Sequence, residues 1–316
     1  MAAPPGEPRE EKPQLGIVRS ALFVPAARPE MIERARDLDA DALVLDLEDS
    51  VSPESKEQAR SNAREALPAL ARPGRQLWMR VNNTYSLLTK DDIRAVVGPD
   101  LDGIMLPKAD RPEQVYYLEA LLRDAEPAAG IQPGTTKLIL VIESAAGLLA
   151  TVETARASRR AVALQFGAED YCADLGMERT PEGAELVYAR GAIAVAAAAA
   201  KLPALDTVYP VLHDEAGLLR EARLARSLGF RGKFAIHPEQ IGPINTVFTP
   251  AADEVERARR LIAAYDEAAA QGRGAVQVDG AMVDAPVAAR ARNLLARAES
   301  IAARTAGSES AQASPT

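Results

Sequence analysis

Ala42-Leu43-Val44-Leu45-Asp46-Leu47-Glu48-Asp49 begins as an aliphatic run and ends in three carboxylates. The run Ala42–Leu47 lacks the polar–apolar alternation of a half-exposed strand, so it predicts a short strand buried on both faces. Just beyond it, Ser52-Pro53 reads as a helix cap followed by proline at the first helical position. Glu54–Leu67 then has helical patterning. Outward in both directions the same alternation recurs. Short runs rich in Val, Ile, Leu or Phe lie at Ala21–Pro25, Leu77–Val81, Gly103–Pro107, Lys137–Ile142, Val162–Phe166, Asp206–Tyr209 and Lys233–Ile236. Helical segments such as Pro29–Leu38 and Glu182–Leu202 separate them.

Eight strands alternating with helices at a spacing of roughly 30 residues predict a (β/α)8 TIM barrel. An open doubly wound sheet also alternates, but it usually has five or six strands and a glycine-rich first turn; neither feature fits this chain. After the eighth run the pattern changes. Ala252–Ala270 reads as a helix, Val276–Val278 and Ala281–Val283 as a hairpin turning at Asp279-Gly280, and Pro286–Ala303 as a last helix. The expected organisation is a disordered arm over 1–15, the barrel over 16–250, a hairpin–helix lid extension over 251–304 and a disordered tail over 305–316. The extension packs on its own barrel or reaches a neighbouring subunit.

Lys and Arg number 37 against 45 Asp and Glu, giving a net charge of −8 over 316 residues. That balance argues against coating nucleic acid or an anionic membrane, although a few local arginines can still hold a small anion. Cys172 is the single cysteine, so neither an internal disulfide nor a cysteine-rich metal site is available. The first fourteen residues lack the apolar stretch of a signal peptide, and Ala192–Ala200 is too short to cross a bilayer. A cytoplasmic protein is expected.

In a barrel of this kind the chemistry stands at the carboxyl ends of the strands. The runs end in Asp46-Leu47-Glu48-Asp49, Arg80-Val81-Asn82, Pro107-Lys108, Glu143-Ser144, Glu169-Asp170 and His237-Pro238. Asp46 and Glu48 are two apart on a strand and share a face, so one pKa must rise unless a cation such as Arg80 or Lys108 stands near. The plainer role for Asp46 and Asp49 is turn capping. Glu143 and Asp170, from adjacent strand ends, are candidates to hold Mg²⁺ with open positions left for water and substrate; the plainer role is a helix cap or an ion pair. Arg80 carries a fork suited to a carboxylate, or to a salt bridge with Glu48. His213 reads as part of a helix start, and His237 as lining the site. No serine or cysteine partner supports a nucleophilic triad, and no Walker-type phosphate loop is present.

Taken together these motifs resemble the citrate lyase beta subunit-like branch of the HpcH/HpaI aldolase family. The matching stretches are Arg19–Pro25, Asp46–Val51 with Lys56 and Ala59-Arg60, Arg80–Asn82, Leu106–Lys108, Ile142–Ser144, Phe166–Tyr171, Ala235–Pro238 and Gly280–Pro286. Two departures are Ala26, where glycine is usual, and Arg34, where lysine is common. The resemblance implies a TIM barrel with a C-terminal extension, assembled as homotrimers or hexamers. It implies Mg²⁺ on Glu143 and Asp170, Arg80 on the acid substrate, and contacts to substrate or CoA from Phe23, Arg34, Ile236 and His237, with Glu48 in the catalytic group. Asp284 corresponds to an aspartate that in some members reaches a neighbour's site and moves a proton.

The implied activity is carbon–carbon cleavage or synthesis on CoA thioesters of 2-hydroxy diacids of the malyl-CoA, methylmalyl-CoA or citramalyl-CoA type. The partners are then an acyl-CoA or hydroxyacyl-CoA and a small keto acid such as glyoxylate or pyruvate. The alternatives are a citryl-ACP/CoA lyase subunit of a citrate lyase complex and a non-catalytic binding protein on the same scaffold.

Overall fold

The computed structural model describes residues 13–312; the rest of the expected N-terminal arm and residues 313–316 lie outside the described residues. Eight parallel strands close into a barrel: β1 (Ser20–Pro25), β2 (Ala42–Asp46), β3 (Gln76–Arg80), β4 (Gly103–Leu106), β5 (Lys137–Ile142), β6 (Ala161–Phe166), β7 (Ala204–Asp206) and β8 (Gly232–Ala235). Between them and after them run α1 (Pro29–Ala35), α2 (Lys56–Leu70), α3 (Thr89–Val96), α4 (Pro112–Ala128), α5 (Ala145–Arg156), α6 (Ala168–Leu175), α7 (Val187–Ala200), α8 (Glu215–Ser227) and α9 (Ile241–Phe248). The TIM barrel expected from the eight apolar runs is therefore the fold. Every residue of β2 and of β6 is buried, as continuous aliphatic runs demand.

The barrel interior is filled, not hollow. Ala21, Val44, Trp78, Met105, Val141 and Phe234 belong to one buried cluster. Gly103 makes room for the largest of them, since a Cβ there would lie 2.4 Å from Trp78 Cζ3. The seventh strand departs from expectation. It is Ala204–Asp206, not Asp206–Tyr209. The Thr207 carbonyl leaves the ladder to accept a hydrogen bond from Lys233 Nζ at 2.8 Å. Ser52 also differs. It precedes a short 3₁₀ turn, Pro53–Ser55, and its hydroxyl donates to Ser55 Oγ instead of capping backbone.

Below the barrel, charge pairs clamp the strand starts. Arg19 grips Asp41 through Nε at 2.9 Å and Nη2 at 2.8 Å. Arg160 binds Glu126 through Nη1 at 2.6 Å and Nη2 at 2.8 Å, while Thr136 N and Gly134 N also donate to this carboxylate. Burial works to raise the Glu126 pKa, but the Arg160 and backbone hydrogen bonds outweigh it and hold the carboxyl down at about 2. A depressed native pKa means that the stabilisation is complete above the ordinary value of 4.5 and is lost as pH falls from there toward 2. Glu126→Gln is thus expected to lower stability by about 3 kcal/mol at neutral pH and to flatten the acid limb of a thermal-unfolding series. An acid limb that the variant shares with the wild type would remove Glu126 from that role.

A second compact unit comprises Arg72–Gly74 and the residues from Asn245 onward. The expected junction was at 250. This unit holds α10 (Ala252–Ala270), the hairpin β9 (Ala275–Val278) and β10 (Ala281–Asp284), and α11 (Ala285–Gln312). Asp279 and Gly280 both have positive φ, 49° and 78°, as the Asp-Gly turn requires. The last helix runs beyond its expected end at Ala303, to Gln312, so residues 305–312 of the expected disordered tail are helical; the sequence contains no proline over 287–312 to stop the ladder. Among the described residues no helix is long and apolar enough to cross a membrane.

Candidate active site

Register brings the strand-end charges to one level, with Asp46 paired to Arg80 and Pro25 to Asp46. Arg80 spends its fork on Asp46: Nε donates to Oδ1 and Nη2 to Oδ2, both at 2.7 Å. Its remaining nitrogen, Nη1, lies 3.3 Å from Glu48 and 3.5 Å from Asp49. The guanidinium stands 4.8 Å from the centroid of the Phe23 ring, which in turn leans on Phe234. Asp46 also accepts from Glu48 N at 2.9 Å and Ser50 N at 3.1 Å, so it does cap the turn after β2. Burial would raise its pKa, but Arg80 overrides that and holds it low.

Glu48 behaves oppositely. Burial is the largest influence on it and pushes its pKa up, although Lys108 Nζ sits 3.1 Å from Oε1. Of the two carboxylates at this end of β2, one is lowered and one raised; the rise of Glu48 comes first from burial and persists although both expected cations, Arg80 and Lys108, stand beside it. A buried lysine fixes the loop that carries Glu48. Lys56 Nζ donates to the carbonyls of Leu47 and Glu48, both at 2.7 Å, and to Asn82 Oδ1 at 2.8 Å. Asn82 is anchored by Asp92 at 2.7 Å, and Asp92 by Arg60 at 2.7 Å. Sequence reasoning gave Lys56 no role. Its signal was a lysine opening α2, where the helix dipole disfavours a cation.

Glu143 follows β5 and is buried. Its Oε1 accepts from Lys108 N at 2.7 Å. Burial, then repulsion from Glu48 and Asp170, pushes its carboxyl up to about 8. It does not cap α5, because Ser144 does so by accepting from Gly147 N at 2.9 Å. Asp170 lies in the first turn of α6 and meets Lys108 Nζ at 3.6 Å. Gly167 between them is sterically required: a Cβ would stand 2.3 Å from Glu143 Oε2.

A cavity of about 330 Å³ opens over this end of the barrel, lined by Phe23, Asp46, Asp49, Arg80, Glu143, Glu169, Asp170 and Ile236, among others. The structure thus brings together Phe23, Arg80, Glu143, Asp170 and Ile236. It places other expected residues elsewhere. Glu48 is not in the lining; it touches Arg80 and Lys108 instead. Arg34 is exposed on α1 outside the lining, one turn beyond Met31, which does line the cavity. His237 faces a different cavity, of about 430 Å³, with His213 and Glu239; the two rings meet edge to face at 6.0 Å. His237 Nδ1 accepts from Glu239 N at 3.4 Å, which turns the ring away from the first cavity. Asp284 belongs to the second unit, where its Oδ1 accepts from Val287 N at 3.2 Å at the start of α11.

The donor set suits a hard divalent cation. Glu143 is a buried carboxyl with two acidic neighbours and one backbone donor, and a dication would offset the burial and the repulsion that raise its pKa. Among the described residues no three His, Cys, Asp or Glu side chains form a closed cage.

Comparison with known proteins decides the grouping. The HpcH/HpaI aldolase/citrate lyase family model matches residues 19–238. The chain belongs to the HpcH/HpaI aldolase/citrate lyase family. Within it, the citrate lyase subunit beta of Leuconostoc mesenteroides subsp. cremoris is 41% identical, over 88% of this chain and 92% of that protein. The L-malyl-CoA/beta-methylmalyl-CoA lyase of Cereibacter sphaeroides is 34% identical, over 95% of this chain and 98% of its own. The CitE protein of Mycobacterium tuberculosis, solved with magnesium, acetoacetate and coenzyme A, superposes with a TM-score of 0.72 at 32% identity, covering 90% of this chain and 98% of that one. This member of the HpcH/HpaI family is a carbon–carbon lyase.

Proposed function

We propose that the protein is a cytoplasmic, Mg²⁺-dependent lyase or synthase acting on CoA thioesters of 2-hydroxy diacids. The substrates are of the malyl-CoA, methylmalyl-CoA or citramalyl-CoA type, cleaved to an acyl-CoA and glyoxylate or pyruvate. The observation that carries this reading is the meeting of Arg80, Glu143 and Asp170 in one cavity. A second reading, a citryl thioester delivered by an acyl-carrier partner, is favoured by the 41% identity to a citrate lyase subunit beta. Both share one chemistry: a 2-hydroxy acid becomes a 2-oxo acid, and the departing fragment is a thioester enolate.

Glu143 and Asp170 would hold the magnesium, which when bound lowers the pKa of the substrate hydroxyl and polarises its oxygen. Arg80, fixed by Asp46 and stacked on Phe23, presents Nη1 to the substrate carboxylate and so orients the bond that breaks. Glu48 is a positioning residue. It pairs with Nη1 and Lys108 and keeps both cations in place. Phe23 and Ile236 exclude water from the bond that breaks. Arg34 and His237, outside this cavity, are left for the CoA portion.

The enolate carbon then takes a proton. Asp284 is the proposed acid, supplied to the site of a neighbouring copy in a homotrimer or hexamer. Asp284→Asn should slow turnover by about 10²–10⁴-fold while leaving 2-oxo acid binding unchanged. Mixing it with Glu143→Ala subunits should restore part of the activity; no recovery would confine Asp284 to its capping role.

The test of function is incubation with Mg²⁺, acetyl-CoA or propionyl-CoA and glyoxylate or pyruvate, with products read by mass spectrometry. Condensation supports the first reading. Turnover only with an acyl-carrier protein supports the second. Ligand binding without turnover in either case removes both.

A further inference from the structure

One residue touches three of the acidic groups at this end of the barrel. Lys108 N donates to Glu143 Oε1 at 2.7 Å, while its Nζ lies 3.1 Å from Glu48 Oε1 and 3.6 Å from Asp170 Oδ2. Reaching both sides requires an unusual backbone. Lys108 has φ +50°, a left-handed conformation that non-glycine residues rarely adopt. The conformation is held from outside: the Lys108 carbonyl accepts from Gln114 Nε2 at 2.7 Å, and that amide also donates to Thr84 Oγ1 at 3.0 Å.

We propose that Lys108 is a tethered counter-ion of the metal site, an ammonium held on Glu48 and within ion-pair distance of Asp170, which a divalent ion taken up by Asp170 would displace from that carboxylate. This inference rests on the assignment of Glu143 and Asp170 as the metal-holding pair. The two contacts of Nζ differ in kind. Glu48 is buried and holds Nζ at hydrogen-bond distance, whereas the Asp170 side chain is 40% exposed and meets it only at ion-pair distance. The outer contact is therefore the one that opens. Lys108 then stays on Glu48, which preserves the positioning of Arg80, and Asp170 turns its oxygen to the incoming ion. The cost of displacing one cation by another keeps the ion exchangeable, and the pairing keeps like charges from splaying the site when it is empty.

The test is Mn²⁺ binding followed by the electron paramagnetic resonance of the free ion, with no substrate present. Lys108→Met and the neutral, polar Lys108→Gln should each bind Mn²⁺ about tenfold or more tightly than the wild type, since a positive charge beside the site is gone. Their metal-free forms should melt at lower temperature and recover on adding Mn²⁺. Lys108→Arg should keep near wild-type affinity. Unchanged or weaker Mn²⁺ binding in both neutral variants would overturn the proposal. Asp170→Asn separates the two levels. If it loses Mn²⁺ while the lysine variants gain nothing, only the counter-ion role fails; if it binds Mn²⁺ like the wild type, the metal assignment itself fails. Should the lysine variants not fold, a wild-type crystal soaked in Mn²⁺ decides: an ammonium still at ion-pair distance from Asp170 beside a bound ion overturns the proposal, and one withdrawn from it supports it.

Discussion

Glu143→Ala should give a folded protein that has lost divalent-metal binding and at least about 10³-fold in kcat, roughly 4 kcal/mol of transition-state stabilisation. The folding part of this expectation is not a generic hope. Glu143 sits buried among Glu48 and Asp170, with Lys108 N as its donor, and its carboxyl is pushed up to about 8. A carboxyl held that far above its ordinary value of 4.5 must take up a proton on folding at neutral pH, which costs the metal-free fold stability, so removing it relieves that cost as well as opening space. The metal-free variant should therefore melt at or above the wild-type temperature, whereas Mg²⁺ should raise the melting point of the wild type alone. Circular dichroism, thermal unfolding with and without Mg²⁺, and steady-state kinetics are the three measurements. A variant that still gains stability from Mg²⁺, or turns over at the wild-type rate, would show that the ion sits elsewhere.

Arg80→Lys should lose both activity and stability, and the reason is geometric. Three guanidinium nitrogens have separate duties: Nε and Nη2 each hold Asp46 at 2.7 Å, and Nη1 reaches toward Glu48 and the cavity. An ammonium is a point charge and cannot copy a planar fork. If it satisfies Asp46, nothing faces the substrate carboxylate. If it faces the cavity, Asp46, which is 1% exposed, is left buried without its partner. The expected losses are about 10²–10³-fold in kcat/KM and about 3 kcal/mol in stability. Asp46→Asn should reproduce the stability loss and part of the kinetic loss, because Arg80 then has only a neutral partner to hold it. Wild-type kcat/KM in Arg80→Lys would return Arg80 to a purely structural pairing.

The two substitutions also separate functions that the sequence placed side by side. Asp46, Glu48 and Asp49 lie within four positions, yet Asp46 is held low by Arg80 while Glu48 is raised by burial. Alternation along a strand predicts that Asp46 and Glu48 share a face. It does not predict that the strand ends at Asp46, so that Glu48 belongs to a loop pinned by Lys56. Lys56 stood out in the sequence as part of a matching motif and as a lysine at a helix start, but neither showed which carbonyls it would hold. His237 shows a related limit: it follows β8 as read, but its ring lines the second cavity with His213 and Glu239, a placement that position on the strand does not fix.

What the sequence determined by itself is whatever short-range chemistry decides. Unbroken aliphatic runs mark strands buried on both faces, Asp279-Gly280 marks the hairpin, and the charged run ends mark the functional rim, because burial pattern and turn conformation depend on residues within a few positions. Partner choice depends instead on register, rotamer and backbone twist across the barrel. Arg80 selects Asp46 across 34 positions and Lys108 reaches Glu48 across 60. Only the closed barrel brings those groups within a few ångströms, and at that range burial and small differences in distance decide which carboxyl pKa is pushed up and which is held down.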